Sequence, residues 1–370
     1  MQFRRFPASV VLSLRASLPI CGEWSVPLES SRLLSCSALE WILATPLNEE
    51  LARRLCLSHV RISCSKTIGC PAGKVEILWL LTDFVLIGCG DKNTFRDICD
   101  RRCKCKNGKL VSCYRVRQDF KKMSLEERTR LTKAFKLLSS DPRYISDYEK
   151  LGKLHSVVPE PKYFYPWHRW YVLELENLLR QIDCRITIPY WEWIKDEAHW
   201  TRGSEIEDVW NPGPHGLGGN GVSPFKCVMD GPFKKGEYSL PQSAGGNCLK
   251  RHFNYSCNLP NAEQAKKVLT EANYTVFSGT IFGGLHLIYH TCIGANQYFK
   301  TAPYNLEFWL HHSFLDKLWV EWEKNNKGSK RGLSSISYLM YGTIHYPLEY
   351  VDVNHLPGDV KVLYEEWDTK

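Results

Sequence analysis

Two histidine pairs in the second half of the chain could hold a metal ion. His286 and His290 are four residues apart, and on a helix this spacing places both side chains on one face, one turn apart. Downstream, His311 and His312 are adjacent in the aromatic segment 308–319, whose apolar spacing predicts another helix. Three imidazoles from two helices would suit copper or zinc. No H-E-x-x-H pattern includes His286, which disfavours a zinc protease.

A second group of candidates lies earlier in the chain. His168 stands at the start of a predicted helix of about 168–181, and His155 precedes it by 13 residues. A histidine at a helix start either makes a structural hydrogen bond or binds a metal, and these residues alone leave both roles open.

Helices connected by long loops must position these side chains. Ser124 and Glu127 form the capping-box pattern of a helix that extends to about Ser139. Further helices are predicted around 260–272, 282–292 and 307–325, and strands at Arg185–Ile188 and around Val360–Tyr364. Residues 203–260 are rich in Gly, Pro and Asn, which indicates an irregular insertion.

The charge distribution is uneven. The net charge is +8, and the segment 96–136 alone holds 14 Lys or Arg against 5 Asp or Glu. A basic stretch can attract nucleic acid or an acidic matrix. Because no motif that reads a nucleic-acid groove accompanies it, we interpret this stretch as a solvated face and expect no nucleic-acid partner.

Fifteen cysteines indicate an oxidising compartment. Zinc bound by the cluster Cys99, Cys103, Cys105 and Cys113 is the alternative, but a C-x-C step fits a zinc knuckle poorly, so we expect disulfides. Sequons at Asn254 and Asn273 point to the same compartment and predict a secreted glycoprotein.

The N-terminal region shows no sustained periodicity over residues 1–73. The apolar run 77–89 is too short for a membrane span and resembles the apolar region of a secretory signal, with a buried strand as the alternative. Our hypothesis is that residues 1–73 are a gene-prediction artefact or a poorly ordered extension. We predict an unassigned extension over 1–90 with the signal-like segment at 74–90, a Cys-rich module over 91–118, a metal-binding domain over 119–330 and a tail over 331–370.

Two motifs, taken together, resemble the copper signatures of the tyrosinase family. The segment 166–171 reads Pro-Trp-His-Arg-Trp-Tyr, and Glu176 and the block 189–193 follow it. The second motif combines His286 and His290 with 308–319, which reads Phe-Trp-Leu-His-His-Ser-Phe-Leu-Asp-Lys-Leu-Trp. The resemblance covers roughly 120–325, and the Cys-rich lead-in is similar to that of secreted invertebrate members.

The resemblance implies a mainly α fold, an antiparallel four-helix bundle that holds two copper ions with three histidines each. It implies that these ions and O2 oxidise phenols or o-diphenols to quinones, so the partners are a small phenolic substrate and O2. His155 and His168 would bind the first copper, and His286, His290 and His312 the second. His311 would be a non-ligand, and Asp316 would orient an imidazole or complete helix packing.

This chain departs from the family pattern at the first copper site. The middle histidine of that site is expected about nine residues before His168, where this chain has Pro159, and Glu160 is a hard oxygen ligand ill-suited to Cu(I). Leu287 stands in place of an Asn found in many tyrosinases, and Cys292 in place of a Trp. Either the gene sequence is incomplete or this member has lost two-copper chemistry. Three hypotheses about function remain open: a phenol oxidase, a non-catalytic secreted copper-binding or matrix protein, and an oxygen carrier.

Overall fold

A computed structural model describes residues 95–156, 161–196, 199–297, 300–326, 333 and 337–365, together with three short strands nearer the N-terminus. The chain divides into two compact units, one of residues 1–92 and 107–109 and the other of residues 93–106 and 110–370. In the first unit, β1 (Val11–Leu12), β2 (Trp24–Pro27) and β3 (Ser65–Lys66) form an antiparallel sheet in that order. The signal-like segment lies outside the described residues.

The second unit is mainly helical, which confirms the predicted fold class at that level. Its helices are α1 (Leu125–Ser140), α2 (Ile145–Leu154), α3 (Phe164–Ile182), α4 (Ala262–Leu269), α5 (Tyr274–Thr280), α6 (Leu287–Ile293) and α7 (Leu306–Asn325). A π-helical segment, Ile281–His286, joins α5 to α6. Short 3-10 helices lie at Phe120–Lys122, Pro161–Tyr163, Trp193–Lys195, Gln242–Ala244, Ala295–Gln297, Ala302–Tyr304 and Pro347–Tyr350.

Local sequence explains α1 but not α2. The Ser124 hydroxyl accepts a hydrogen bond from the Glu127 backbone N–H, and the Glu127 carboxylate accepts one from the Ser124 N–H, so the predicted capping box is confirmed. Helix α2 was not predicted. Its first residue is preceded by Tyr144, whose side chain makes no capping hydrogen bond, and the helix is stabilised by burial of Tyr148 and Leu151.

Helix α3 lies at the centre of the packing, against α1, α2 and α7. The sequence predicts one core stripe on α7, formed by Leu315, Leu318 and Trp322. In the structure this stripe is buried, and so is the face that carries His312 and Asp316. Helix α7 is therefore surrounded by protein along most of its length, as expected for a helix at the centre of a domain.

A small sheet packs beside the helices. Its strands are β4 (Phe95–Arg96), β5 (Arg102–Lys106), β6 (Lys109–Arg117) and β9 (Val362–Tyr364), in that order, and β6 runs parallel to β9. The predicted strand near Val360–Tyr364 is confirmed over its last three residues. The predicted strand Arg185–Ile188 is wrong, because the Ile188 N–H donates to the carboxylate of Glu176 at 2.9 Å instead of joining a ladder.

Disulfides link strands and loops of the second unit, and one of them reaches helix α6. The bridges between described cysteines are Cys99–Cys184, Cys103–Cys113, Cys227–Cys248 and Cys257–Cys292. Cys105 is also disulfide-bonded, so the zinc alternative for the four-cysteine cluster is wrong. The insertion 203–260 is irregular as predicted, with β7 (Gly221–Val222) and β8 (Cys227–Val228) pairing antiparallel.

The continuous helical stretch Tyr274–Ile293 is the one described helix long and apolar enough to cross a membrane by length and composition. Half of its most apolar window is buried inside the protein. A core helix of a soluble protein meets the same criterion, so this stretch is weak evidence for a span.

Candidate metal centre

Six buried histidines from five helical elements lie close together in the second unit. His155 caps the C-terminus of α2, His168 lies in α3, His286 ends the π-helical segment and His290 lies in α6, while His311 and His312 lie in α7. In one group, a ring nitrogen of each of His286, His290, His311 and His312 lies within 4.8 Å of the others. In a second group, His155, His168 and His312 meet the same criterion.

Two of these rings present a lone pair to the interior. His168 Nδ1 lies 2.7 Å from the Phe164 carbonyl oxygen, and His286 Nδ1 lies 3.3 Å from that of Phe282. Because a carbonyl only accepts, Nδ1 carries the proton in both rings and Nε2 is an acceptor in the neutral form. Both Nε2 atoms are buried and have no hydrogen-bond partner among the described residues. This arrangement fits metal binding through Nε2.

His312 belongs to both groups. Its ring is stacked on that of His168, with centroids 4.1 Å apart, and its centroid lies 5.2 Å from that of His286. Neither of its ring nitrogens has a hydrogen-bond partner in the described part of the chain. The ring of His155 lies 5.8 Å from that of His168 and 6.2 Å from that of His312.

His311 differs in its hydrogen bonding from His168 and His286, whose Nδ1 atoms face main-chain carbonyls. The indole N–H of Trp193 donates to His311 Nδ1 at 3.1 Å. The Tyr289 ring stacks on the imidazole, with centroids 3.8 Å apart and the planes 2° from parallel. This ring is therefore fixed on two sides.

The electrostatic surroundings favour the neutral form in four of the six histidines. Burial, and after it the neighbouring histidines, holds the pKa well below its usual value in His168, His286, His311 and His312. A neutral imidazole is the form that binds a metal ion.

Phenylalanines shield the cluster in a repeated pattern. Phe164, Phe282 and Phe308 each precede a clustered histidine by four residues, and their rings lie 4.5, 5.6 and 4.3 Å from His168, His286 and His312 respectively. The sequence analysis missed this i, i+4 pattern, although it is visible in the sequence. It also missed the role of Trp193, which no local spacing indicates.

Asp316 lies one turn beyond His312, and its carboxylate bonds to an arginine and a tyrosine of other elements. Its carboxylate accepts hydrogen bonds from Arg169 Nε at 2.6 Å and from the Tyr364 hydroxyl at 2.6 Å. Arg117 lies 3.5 Å from the same carboxylate and pairs with Glu176 at 3.0 Å. Asp316 thus joins α3, α7 and β9.

The structure brings together the five predicted ligands His155, His168, His286, His290 and His312. Pro159 and Glu160, on which the prediction of a missing ligand rests, lie outside the described residues. Both sequon asparagines, Asn254 and Asn273, are exposed, and the Asn273 side chain also caps α5.

Fold and site together define a helical protein with a buried, all-histidine centre suited to a transition metal. Residues 140–325, about half of the chain, match the family described as the common central domain of tyrosinase. The chain therefore belongs to the tyrosinase family. Members of this family bind two copper ions, and the histidine groups of this chain could hold a metal.

Individual relatives agree with this assignment. Tyrosinases from Streptomyces antibioticus and Streptomyces glaucescens are each 33% identical over 183 residues, which is 45% of this chain and 64% of each relative. Hemocyanin 1 of Megathura crenulata is 29% identical over 181 residues, 46% of this chain and 5% of that protein. The solved structure of a polyphenol oxidase mutant from Thermothelomyces thermophila is 20% identical, with a TM-score of 0.54, over 68% of this chain and 88% of that one. The last likeness concerns the fold alone.

Proposed function

We propose that this protein is a copper-dependent oxidoreductase that oxidises phenols or o-diphenols to quinones with O2. The observation that carries the proposal is the buried cluster of histidines, in which the Nε2 atoms of His168 and His286 have no protein partner among the described residues. Family membership supplies the identity of the metal. When bound, copper would supply the electron exchange between the phenol and O2.

In this proposal the chain holds and shields the metal centre. His155 and His168 belong to the first copper, and His286, His290 and His312 to the second. Main-chain carbonyls of Phe164 and Phe282 fix which nitrogen carries the proton, so that Nε2 remains free to bind. The phenylalanine rings exclude water from the neutral imidazoles. We also propose that the helices bearing these ligands form the antiparallel four-helix bundle of the family.

A second candidate is a secreted copper-binding protein without oxidase activity. The position of His312 favours it, because one imidazole lies close to both histidine groups and would complete only one three-histidine set. If His312 serves the second copper, the first copper keeps two histidines of the described residues. The disulfides and the exposed sequons at Asn254 and Asn273 support an extracellular location for either candidate.

The test is O2 consumption with catechol by the copper-loaded secreted protein. We expect quinone formation by the wild type, and loss of at least 100-fold in rate in His286→Ala, because a three-histidine site would lose a ligand. His355→Ala is the matched control, since His355 is exposed and pairs with Asp352 away from the cluster. A wild type that binds copper but forms no quinone would favour the second candidate.

A further inference from the structure

We propose that His311 is not a copper ligand but a fixed hydrogen-bond donor, whose Nε2–H binds a small anion held at the copper centre. The inference rests on the proposed function, since it requires a metal in the cluster. It assigns a distinct role to each member of the adjacent pair, with His312 as a ligand and His311 as the donor.

Trp193 determines the tautomer of His311. An indole N–H can only donate, so the His311 Nδ1 that it reaches at 3.1 Å must be the acceptor. In a neutral imidazole the proton then resides on Nε2. A protonated ring would carry a proton on Nδ1 as well and could not accept from Trp193, so the same hydrogen bond requires the neutral form. His311 is therefore the opposite tautomer of His168 and His286, whose Nδ1 atoms face main-chain carbonyls.

A nitrogen that carries a proton has no lone pair to offer a metal. For His311 to bind copper through Nε2, Nδ1 would have to take up the proton and face the Trp193 N–H, donor against donor. The stacked Tyr289 ring, 3.8 Å away and nearly parallel, opposes rotation of the imidazole out of this arrangement. The hydrogen bond and the stack together disfavour His311 as the replacement for a missing ligand.

The free N–H of His311 is placed among the ligands. Its ring centroid lies 5.1 Å from those of both His290 and His312 and 5.7 Å from that of His286. The Nε2 atom is buried, and the described residues offer it no hydrogen-bond partner. Because a buried N–H without an acceptor costs free energy, an acceptor brought in by the metal centre would stabilise the arrangement.

The acceptor that fits is a small anion. Copper ions surrounded by neutral imidazoles leave a positive centre, which attracts an anion, and a donor fixed beside it adds a charge-assisted hydrogen bond. The N–H groups of His168 and His286 face carbonyls and are not available for this role. Azide is a suitable probe, because it binds copper and accepts a hydrogen bond.

Three variants separate a donor from a ligand and from a structural residue. His311→Gln has an amide that can accept from Trp193 and donate inward, but it has no imidazole. His311→Phe keeps a flat ring against Tyr289 and removes both nitrogens. Trp193→Phe removes the indole donor, so that the His311 proton can lie on either ring nitrogen. Copper per chain is measured by mass spectrometry under non-denaturing conditions, and azide affinity by optical titration of the copper-loaded protein.

We expect all three variants to retain the copper content of the wild type. Azide affinity should fall about tenfold or more in His311→Phe and in Trp193→Phe, and should be largely kept in His311→Gln. Loss of a copper ion in His311→Gln would make His311 a ligand and overturn the inference. Equal azide affinity in His311→Phe and the wild type would overturn it as well. A wild type that binds no copper would instead refute the proposed function.

Discussion

Arg169 and Asp316 form a buried ion pair, with Arg169 Nε 2.6 Å from Asp316 Oδ1 and both side chains almost fully inaccessible to solvent. Arg169 directly follows His168 on α3, and Asp316 lies one turn beyond His312 on α7. The pair therefore links the two helices beside two proposed ligands. The guanidinium of Arg169 also lies over the Trp319 ring, 3.7 Å from its centroid, and donates to the Val351 carbonyl.

Asp316→Ala should lower the free energy of unfolding by about 3–5 kcal/mol, because it removes the nearest carboxylate from the buried guanidinium of Arg169. Urea unfolding of the metal-free protein measures the change. The matched control is Asp147→Ala, whose carboxylate makes an exposed pair with Lys150 at 2.9 Å and should cost less than about 1 kcal/mol. Equal effects of the two substitutions would mean that the buried pair is not the link between α3 and α7.

The Cys257–Cys292 bridge should support copper binding as well as stability. Cys292 is two residues after His290, and the bridge closes a 35-residue separation, so its removal should cost about 3–4 kcal/mol. Replacing both cysteines with alanine should lower the melting temperature and weaken copper binding. The control is the Cys227–Cys248 bridge, which closes a 21-residue separation far in sequence from any proposed ligand.

Removal of the control bridge should lower the melting temperature by a similar amount and leave copper binding unchanged. Copper affinity is measured by competition with a chelator. If both double variants lose copper equally, the effect comes from general destabilisation and not from the position of α6.

Glu176 should make the metal-free protein sensitive to acid. Burial alone would raise its pKa, but Arg117, Arg115 and a hydrogen bond from the Ile188 N–H lower the pKa to about 2. Because the ordinary value is 4.5, its stabilising contribution is complete above about pH 4.5 and is lost as pH falls toward 2. The loss should amount to about 3 kcal/mol.

Unfolding free energies of the wild type and Glu176→Gln, measured between pH 6 and pH 2.5, test this expectation. The variant should be less stable at pH 6, and the difference should shrink as pH falls below 4.5. Glu126→Gln is the control, since that side chain is 81% exposed and its substitution should not alter the pH profile. A constant difference between wild type and Glu176→Gln would contradict the assignment.

Copper should stabilise the fold through the clustered histidines. A ligand that binds only the native state raises stability by about 2.7 kcal/mol at 100 times its dissociation constant, which corresponds to roughly 5–10 °C for a domain of this size. Chelation should lower the melting temperature of the wild type by this amount. It should have little effect on a variant with His286→Ala and His290→Ala. An equal shift in both proteins would place the stabilising metal elsewhere.

Local signals in the sequence predicted part of this structure. The Ser124 capping box and the placement of His286 and His290 side by side depend on residues within one or two helical turns. Both features are present in the structure. The Arg185–Ile188 segment is not a strand, because the Ile188 N–H bonds to Glu176, a partner 12 residues away that propensity does not consider. The disulfide pairing could not be deduced, since many connectivities satisfy the same count of cysteines.

In the metal centre, too, local sequence predicted some features, and others depend on residues distant in the sequence. The histidines were identified from spacing and from resemblance to a family. The tautomer of His311 depends on Trp193, which is 118 residues away and which no pattern in the sequence connects to it. The role of Asp316 likewise depends on Tyr364, a residue of a C-terminal strand.

The most direct test of the central claim is the number of copper ions per chain in the secreted, copper-loaded protein, measured together with O2 uptake on a catechol. We expect two copper ions per chain and formation of quinone. One copper ion or none, with no O2 uptake, would contradict the proposed oxidase.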